Sequence, residues 1–278
     1  MANAYANLKA IKSVSMLDIA GSSHDGRLLE LLENVSRWID QYCNRQFFSL
    51  QATRVFDSEG GSNGILVPDL IRVTGVKSDG DGDGYFETAW ASSDYRLYPL
   101  NAEPSQPWGR PYTRLEVGSG TTHGSRSPGK RTRVQIAGTW GFREELHASA
   151  VAVDGVGIDA SGLQFGVNGA VPFSGGDTLL IGSEQIYVTA VGTNKVKGIR
   201  GVNGTRAARH AAASTIRVYR YPAGVSEACL AQASRLWKRK DAAFAERAGV
   251  YRTGGDGDST GLDPDVRQML SPYRRPAV

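Results

Sequence analysis

Two stretches with helical periodicity bracket a long series of short, glycine-punctuated β segments, and this bracketing limits the available folds more than any other feature. In the first stretch Leu28, Leu31, Leu32, Val35, Trp38, Ile39 and Tyr42 recur at helical steps, giving a broad apolar stripe on a helix over Asp25–Cys43. Ser22, Ser23 and Asp25 are its candidate N-caps. The second stretch, near Ser226–Arg247, carries Val225, Cys229, Ala233, Leu236, Trp237 and Phe244 on a narrower stripe. Its other face holds Arg235, Lys238, Arg239, Lys240 and Arg247.

Between the helices the period changes. Thr53–Asp57, Ile65–Val67, Leu70–Lys77, Tyr85–Trp90, Asp94–Tyr98, Tyr112–Val117 and Arg131–Gly138 read as strands bounded by Gly, Asp, Asn or Pro. Gly60–Gly64 and Gly118–Gly129 read as loops. Over 146–221 charged residues thin out, and Asn168-Gly169 and Asn203-Gly204 supply turn signals. This segment reads as an inserted small β-barrel or sandwich, with strands at Ala150–Val153, Thr178–Ile181, Glu184–Val191, Lys195–Gly198 and Thr215–Tyr219. The 34 glycines of the 278-residue chain suit so many turns.

The expected class is α+β: long helices at both ends of a body with a β-rich middle, an inserted small β-barrel or sandwich, and extended termini. The expected division is 1–145 for the N-terminal arm, first helix and β region, and 146–221 for the inserted all-β domain. Residues 222–253 are the returning helix, and 254–278 a linker and C-terminal docking tail. Met1–Gly21 reads as an extended arm. The Gly/Asp/Ser linker Gly254–Gly261 leads to a short helix started by Asp263-Pro264, then to the extended Pro272–Pro276. So few apolar residues cannot fold alone, so this tail is either disordered or docked on a partner.

Composition excludes several classes. A hydrophobic share of 40% with 22% charged residues is ordinary for a globular protein. No apolar run is long enough for a membrane helix, and Met1–Ile19 lacks the layout of a secretory signal, so a soluble intracellular protein is expected. The net charge of +4 lies in the second half of the chain and forms no concentrated basic stripe, so sequence-specific DNA reading is not expected. Cys43 and Cys229 match no metal-ligand spacing; they read as reduced core residues, a disulfide being the lesser alternative.

The motifs with chemical potential each have a plainer explanation. Asp79-Gly80-Asp81-Gly82-Asp83-Gly84 opens like a calcium loop, but the twelfth position is Trp90 rather than Glu, and the flanks are strands. Asp79, Asp81 and Asp83 are thus weak cation candidates, with an acidic hairpin turn as the alternative. Gly60-Gly61-Ser62-Asn63-Gly64 matches a nucleophile-elbow pattern, yet strand follows where that motif needs helix. His24, His123, His147 and His210 stand far apart. A hydrolase built on His147 with Glu144 or Glu145 is a third reading. The basic helix face, Arg235, Lys238, Arg239 and Lys240, can contact DNA phosphates or a neighbouring subunit, or simply face solvent. Tyr273, Arg274 and Arg275 suit an interface, where Tyr and Arg are enriched.

The order of the pieces resembles the head–tail connector (adaptor) proteins of tailed bacteriophages, with an inserted β module. Leu28–Phe47, ending Ile39-Asp40-Gln41-Tyr42-Cys43-Asn44-Arg45-Gln46-Phe47, is similar to the family's first long helix. Asp79–Glu87 and Asp94–Ala102 resemble its β region, and Val134–Phe142 the strand leading to the final helix. Pro222, Val225, Ala228 and Leu236–Arg239 look like that helix. The run Arg200–Thr205 with His210 is similar to β modules of phage structural proteins.

The resemblance implies a structural protein and no enzyme or cofactor. It implies a ring of about twelve copies under the portal, consistent with closed cyclic assembly. The C-terminal segment would dock on portal subunits through Leu262, Met269, Leu270, Tyr273, Arg274 and Arg275. The opposite face would receive the next neck, stopper or tail-completion protein, and DNA would pass through the channel. The implied location is the virion neck, after assembly in the bacterial cytoplasm. The alternative from another class is a β-rich ligand- or glycan-binding module, with calcium at Asp79–Asp83.

Overall fold

The computed structural model describes residues 3–58, 64–118, 132–242 and 261–276. Among the described residues the protein is mostly β: two antiparallel six-stranded sheets, with four helices holding 22% of those residues. The α+β class with long helices framing the body is therefore corrected. The two amphipathic stripes are strong local signals, whereas the strand runs read from the sequence are short and individually faint; taken together, the strands dominate.

Two compact units form: Arg45–Glu145, and Met1–Asn44 together with Leu146–Val278. In the Arg45–Glu145 unit the strands are β1 (Leu50–Ser58), β2 (Gly64–Asp79), β3 (Thr88–Ala89), β4 (Tyr95–Tyr98), β5 (Tyr112–Val117) and β6 (Thr132–Trp140). Their order is β1-β6-β2-β5-β4, with β3 on β2, so among the described residues the sheet is open at β1 and β4. The two runs expected at Ile65–Val67 and Leu70–Lys77 are one strand, through Pro68. Gly64–Leu70 pairs with β5 and Leu70–Asp79 with β6, so Pro68 sits where the partner changes and a missing N–H costs least. Of the expected Tyr85–Trp90 strand only Thr88–Ala89 forms.

Leu70, Leu115, Ile136 and Trp140 are fully buried in the core of this sheet. The Trp140 indole N–H donates to the Ala52 carbonyl at 2.8 Å, which gives the one polar atom of a large buried ring its partner. Gly138 is required by close approach. A Cβ there would stand 2.3 Å from the Arg72 carbonyl oxygen, where the β2–β6 register shifts.

In the other unit β7 (Glu145–Ala152), β8 (Gln164–Gly166), β9 (Thr178–Ile181), β10 (Glu184–Val191), β11 (Lys195–Ile199) and β12 (Thr215–Arg220) run in the order β7-β12-β9-β10-β11-β8. The bridge Val153↔Val167 joins the ends of β7 and β8, and the Asp154 N–H donates to the Gly166 carbonyl. This sheet therefore closes into a barrel, which removes its edges. Leu179, Ile181, Ile186, Val188, Val196 and Ile216 fill it. Asn203 and Gly204 both take positive φ, and the Thr205 N–H reaches the Val202 carbonyl, as the Asn-Gly signal predicts. At Asn168-Gly169 the Asn side chain instead accepts from the Ala152 N–H.

The helices of this unit are α1 (Leu8–Lys12), α2 (Asp25–Cys43), α3 (Ala223–Ala242) and α4 (Pro264–Leu270). α2 has the predicted bounds and ends at Asn44 in the left-handed conformation (φ 50°), a common C-terminal stop. Ser22 and Ser23 do not cap it; His24 precedes its first turn. The buried stripe is Leu28, Leu32, Val35, Ile39, Tyr42 and Cys43. Cys43 and Cys229 are separate buried thiols.

The expectation of extended termini is also corrected. Asn3, Ala4, Tyr5, Leu8 and Ile11 are buried, and Asn7 caps α1 by accepting from the Ala10 N–H at 2.9 Å. Asn3 and Asn203 exchange amide hydrogen bonds of 2.5 and 2.9 Å, locking the first residues onto the barrel. Four apolar anchors in eleven residues are too few to register as an amphipathic period. At the far end the helix started by Asp263-Pro264 forms as α4 but lies folded against this unit's other helices, and Ser271–Tyr273 makes a 3-10 turn where an extended run was expected.

Candidate functional site

The segment 261–276, expected to need a partner, finds one within its own chain. Leu262, Val266 and Leu270 recur at helical steps on α4 and its approach, and all three are buried. The Asp263 N–H donates to buried Gln232 Oε1 at 2.9 Å, and the Tyr42 hydroxyl donates to the Arg267 carbonyl at 3.2 Å. Farther along, Tyr273 lies so close to Gly224 that a Cβ there would stand 3.2 Å from the tyrosine ring. Arg274 stacks on the Tyr42 ring at 4.9 Å, and the Arg275 N–H donates to the Cys43 carbonyl at 2.9 Å. The segment thus runs antiparallel to α3, across the end of α2.

The basic face of α3 is largely engaged by this segment. Arg235 bonds Asp265 through both terminal nitrogens and Asp263 at 3.3 Å, and Arg239 bonds Asp263 at 2.8 Å. The hydrogen bonds from Arg235 hold the Asp265 carboxyl down at about 2. Lys238 is exposed, and the side chain of Lys240 lies outside the described residues. Of the predicted docking residues, Leu262 and Leu270 are inside the fold, Tyr273 and Arg275 are half-buried, and Met269 and Arg274 are exposed.

The acidic loop after β2 brings Asp79, Asp81, Asp83 and Glu87 together, with one oxygen of each within 4.8 Å of the others. Asp79 is buried, and its two oxygens accept from the N–H groups of Gly82 at 2.6 Å and Gly84 at 3.0 Å. Asp81 accepts from Asp83 N–H, and Asp83 from Tyr85 N–H. The carboxylates therefore fold the turn. Glu87 joins them from the ninth position of the loop, not from the twelfth, which Trp90 occupies.

The most concentrated polar group went unpredicted as a group. Glu184 opens β10 with no exposure and receives both forks of the Arg200 guanidinium, at 2.6 and 2.8 Å. His210 Nε2 lies 2.7 Å from Glu184, and the N–H groups of Gly201 and Ala208 add bonds of 3.0 Å. Arg200 also donates to the carbonyls of Asp159, Gly162 and Ala208. Burial alone raises the Glu184 carboxyl, but the bonds from Arg200, Ala208 N–H and His210 prevail and hold it below its ordinary value. All five Arg200 N–H groups face acceptors, so the group is a plug tying the β7–β8 and β11–β12 connections to β10. A glutamate opening the apolar run Ile186-Tyr187-Val188 was the available signal.

Other sequence candidates disperse. Glu144 pairs with Arg72 at 2.5 Å and Glu145 with Arg143 at 2.7 Å, so each carboxylate of the hydrolase reading is held by an arginine. His24 stacks edge-on against Trp237. His123, residues Gly60–Asn63 of the elbow pattern, the loop from Ser119, helix beyond Ala242 and linker before Gly261 lie outside the described residues. No helix among the described residues is long and apolar enough to cross a membrane. Comparison with known proteins finds no matching family model, curated protein or solved structure.

Proposed function

We propose that this chain is a structural head–tail adaptor of a tailed phage. It forms a ring beneath the portal, joins the capsid to the next neck, stopper or tail-completion protein, and lets DNA pass without reading its sequence. The reading places it at the virion neck after assembly in the host cytoplasm. The observation that carries it is the layer of α2, α3 and α4. Most of the stretch from Leu28, and all of Leu236–Arg239, two of the stretches on which the resemblance rests, lie in α2 and α3, and these two helices hold the C-terminal segment. Exposed Met269 and Arg274, with the outer edges of Tyr273 and Arg275, are the portal-facing residues. Since Asp263 and Asp265 occupy Arg235 and Arg239, α3 is better suited to subunit contact than to DNA.

Electron microscopy or native mass spectrometry of the full chain mixed with the portal ring of the same virus tests the reading. One copy per portal subunit is the expected outcome; two folded components that stay apart would sink it. The rival, a calcium-dependent ligand- or glycan-binding module, draws on the convergence of Asp79, Asp81, Asp83 and Glu87. Calorimetry with calcium separates the two. The adaptor reading expects no saturable heat, and a saturable signal abolished by Asp81→Asn would favour the rival.

A further inference from the structure

We propose that the groove between α2 and α3 accepts residues 262–275 from a neighbouring copy of this chain as well as from its own. Assembled copies then hold one another by exchanging this segment. The occupant is fixed by chemistry. The groove offers an apolar floor filled by Leu262, Val266 and Leu270, two guanidinium groups at Arg235 and Arg239, and the acceptors Gln232 Oε1 and the Cys43 carbonyl. Residues 262–275 answer each with an aliphatic stripe, the carboxylates of Asp263 and Asp265, and the N–H groups of Asp263 and Arg275.

The tether points to exchange. Asp263 pairs with Arg239 at 2.8 Å, within one helical turn of Ala242, so the return path is short in space. The last described residue of α3, Ala242, and the start of the segment at Gly261 are separated by residues 243–260, that is 260 − 242 = 18. Fully extended, a tether of that length reaches up to about 60 Å. The same contacts can therefore form with a neighbour's groove at no loss of hydrogen bonds or buried aliphatic surface. Exchange of an identical element is a low-cost route to association, and passed head to tail it closes into a ring. The buried face of α4 serves this exchange and leaves its exposed face free for the portal.

Charge reversal tests this without the portal, so its failure is distinct from failure of the adaptor reading. One full-length variant carries Arg235→Glu and Arg239→Glu; the other carries Asp263→Lys and Asp265→Lys. Each mismatches its own segment and groove, but each segment matches the other variant's groove. The expected result is a mixed species in native mass spectrometry at least ten times more abundant than the self-associated form of either variant. Two variants folded by circular dichroism that remain separate on mixing would overturn the proposal. Should either fail to fold, copies bearing Arg239→Cys or Asp263→Cys, in which the native Cys43 and Cys229 stay buried, are mixed and treated with a short bis-maleimide. A covalent dimer joining the two kinds of copy is then expected, and its absence overturns the proposal equally.

Discussion

The barrel made by β7–β12 returns on itself at Val153 and Val167, whereas among the described residues the sheet made by β1–β6 stops at β1 and β4. Their polar residues differ accordingly. Closure lets the barrel keep a charged cluster inside one end, where Glu184, Arg200 and His210 satisfy one another and three backbone carbonyls. The open sheet instead keeps its acidic cluster at a rim, where Asp81, Asp83 and Glu87 face solvent. A closed sheet has no unpaired ladder, so its specificity lies in its end connections. An open sheet leaves a strand with a partner on one side, and such an edge can accept another chain.

The contrast is sharpest under mutation of the barrel plug. Glu184→Ala leaves Arg200 buried without its counter-charge, and removal of one partner of such a pair costs about 3–5 kcal/mol. Denaturant midpoints should show this loss, and a change under 1 kcal/mol would mean that the barrel does not depend on its plug. The pH dependence has a definite sign. Glu184 is held below its ordinary value when folded, so its contribution is present above the unfolded carboxylate pKa and is lost as pH falls below about 4. Barrel signals in a pH titration followed by near-ultraviolet circular dichroism should fail in that range.

Leu270→Ala comes next, at about 2–4 kcal/mol for a large-to-small change at a fully buried site. Truncation before Gly261 should act in the same direction, because it uncovers α2 and α3; calorimetric melting measures both. Asp79→Asn, which weakens two bonds from backbone N–H groups in the open sheet's loop, is expected to cost about 1 kcal/mol. The smallest effect is on the edge strand. Val55→Lys, at an exposed position of β1, should change stability by less than about 0.5 kcal/mol. Hydrogen exchange should find the alternate amides of β1 not bonded to β6 unprotected, unlike the amides of β9 and β10. Slow exchange throughout β1 would show that its outer edge is covered.

Much of this was legible in the chain. The stripe from Leu28 to Tyr42 gave α2 to the residue because helical periodicity is local. The turn at Asn203-Gly204 followed from backbone preference alone, and β9–β12 lie close to where their β-branched runs put them, whereas β7 starts at Glu145 rather than Ala150 and the three-residue β8 was not expected. What failed depends on distance in the chain. Pro68 reads as a strand end unless one knows that β2 changes partners there. The arm from Asn3 is buried because Asn203, two hundred residues on, takes its amide. Arg200 and His210 were visible as a run, but the glutamate that organises them opens a different strand.

The order in which the units occupy the chain has a temporal consequence. The last residue of α2 is Cys43, and its packing partner α3 begins at Ala223, 223 − 43 = 180 residues later. At about 5–20 residues per second of synthesis, the apolar stripe of α2 waits roughly 10–40 s on the ribosome before α3 exists. During that interval Arg45–Glu145 has emerged complete and can fold. The nascent chain thus carries a finished sheet beside an unsatisfied helix, and chaperone capture during translation would fall on Leu28–Tyr42.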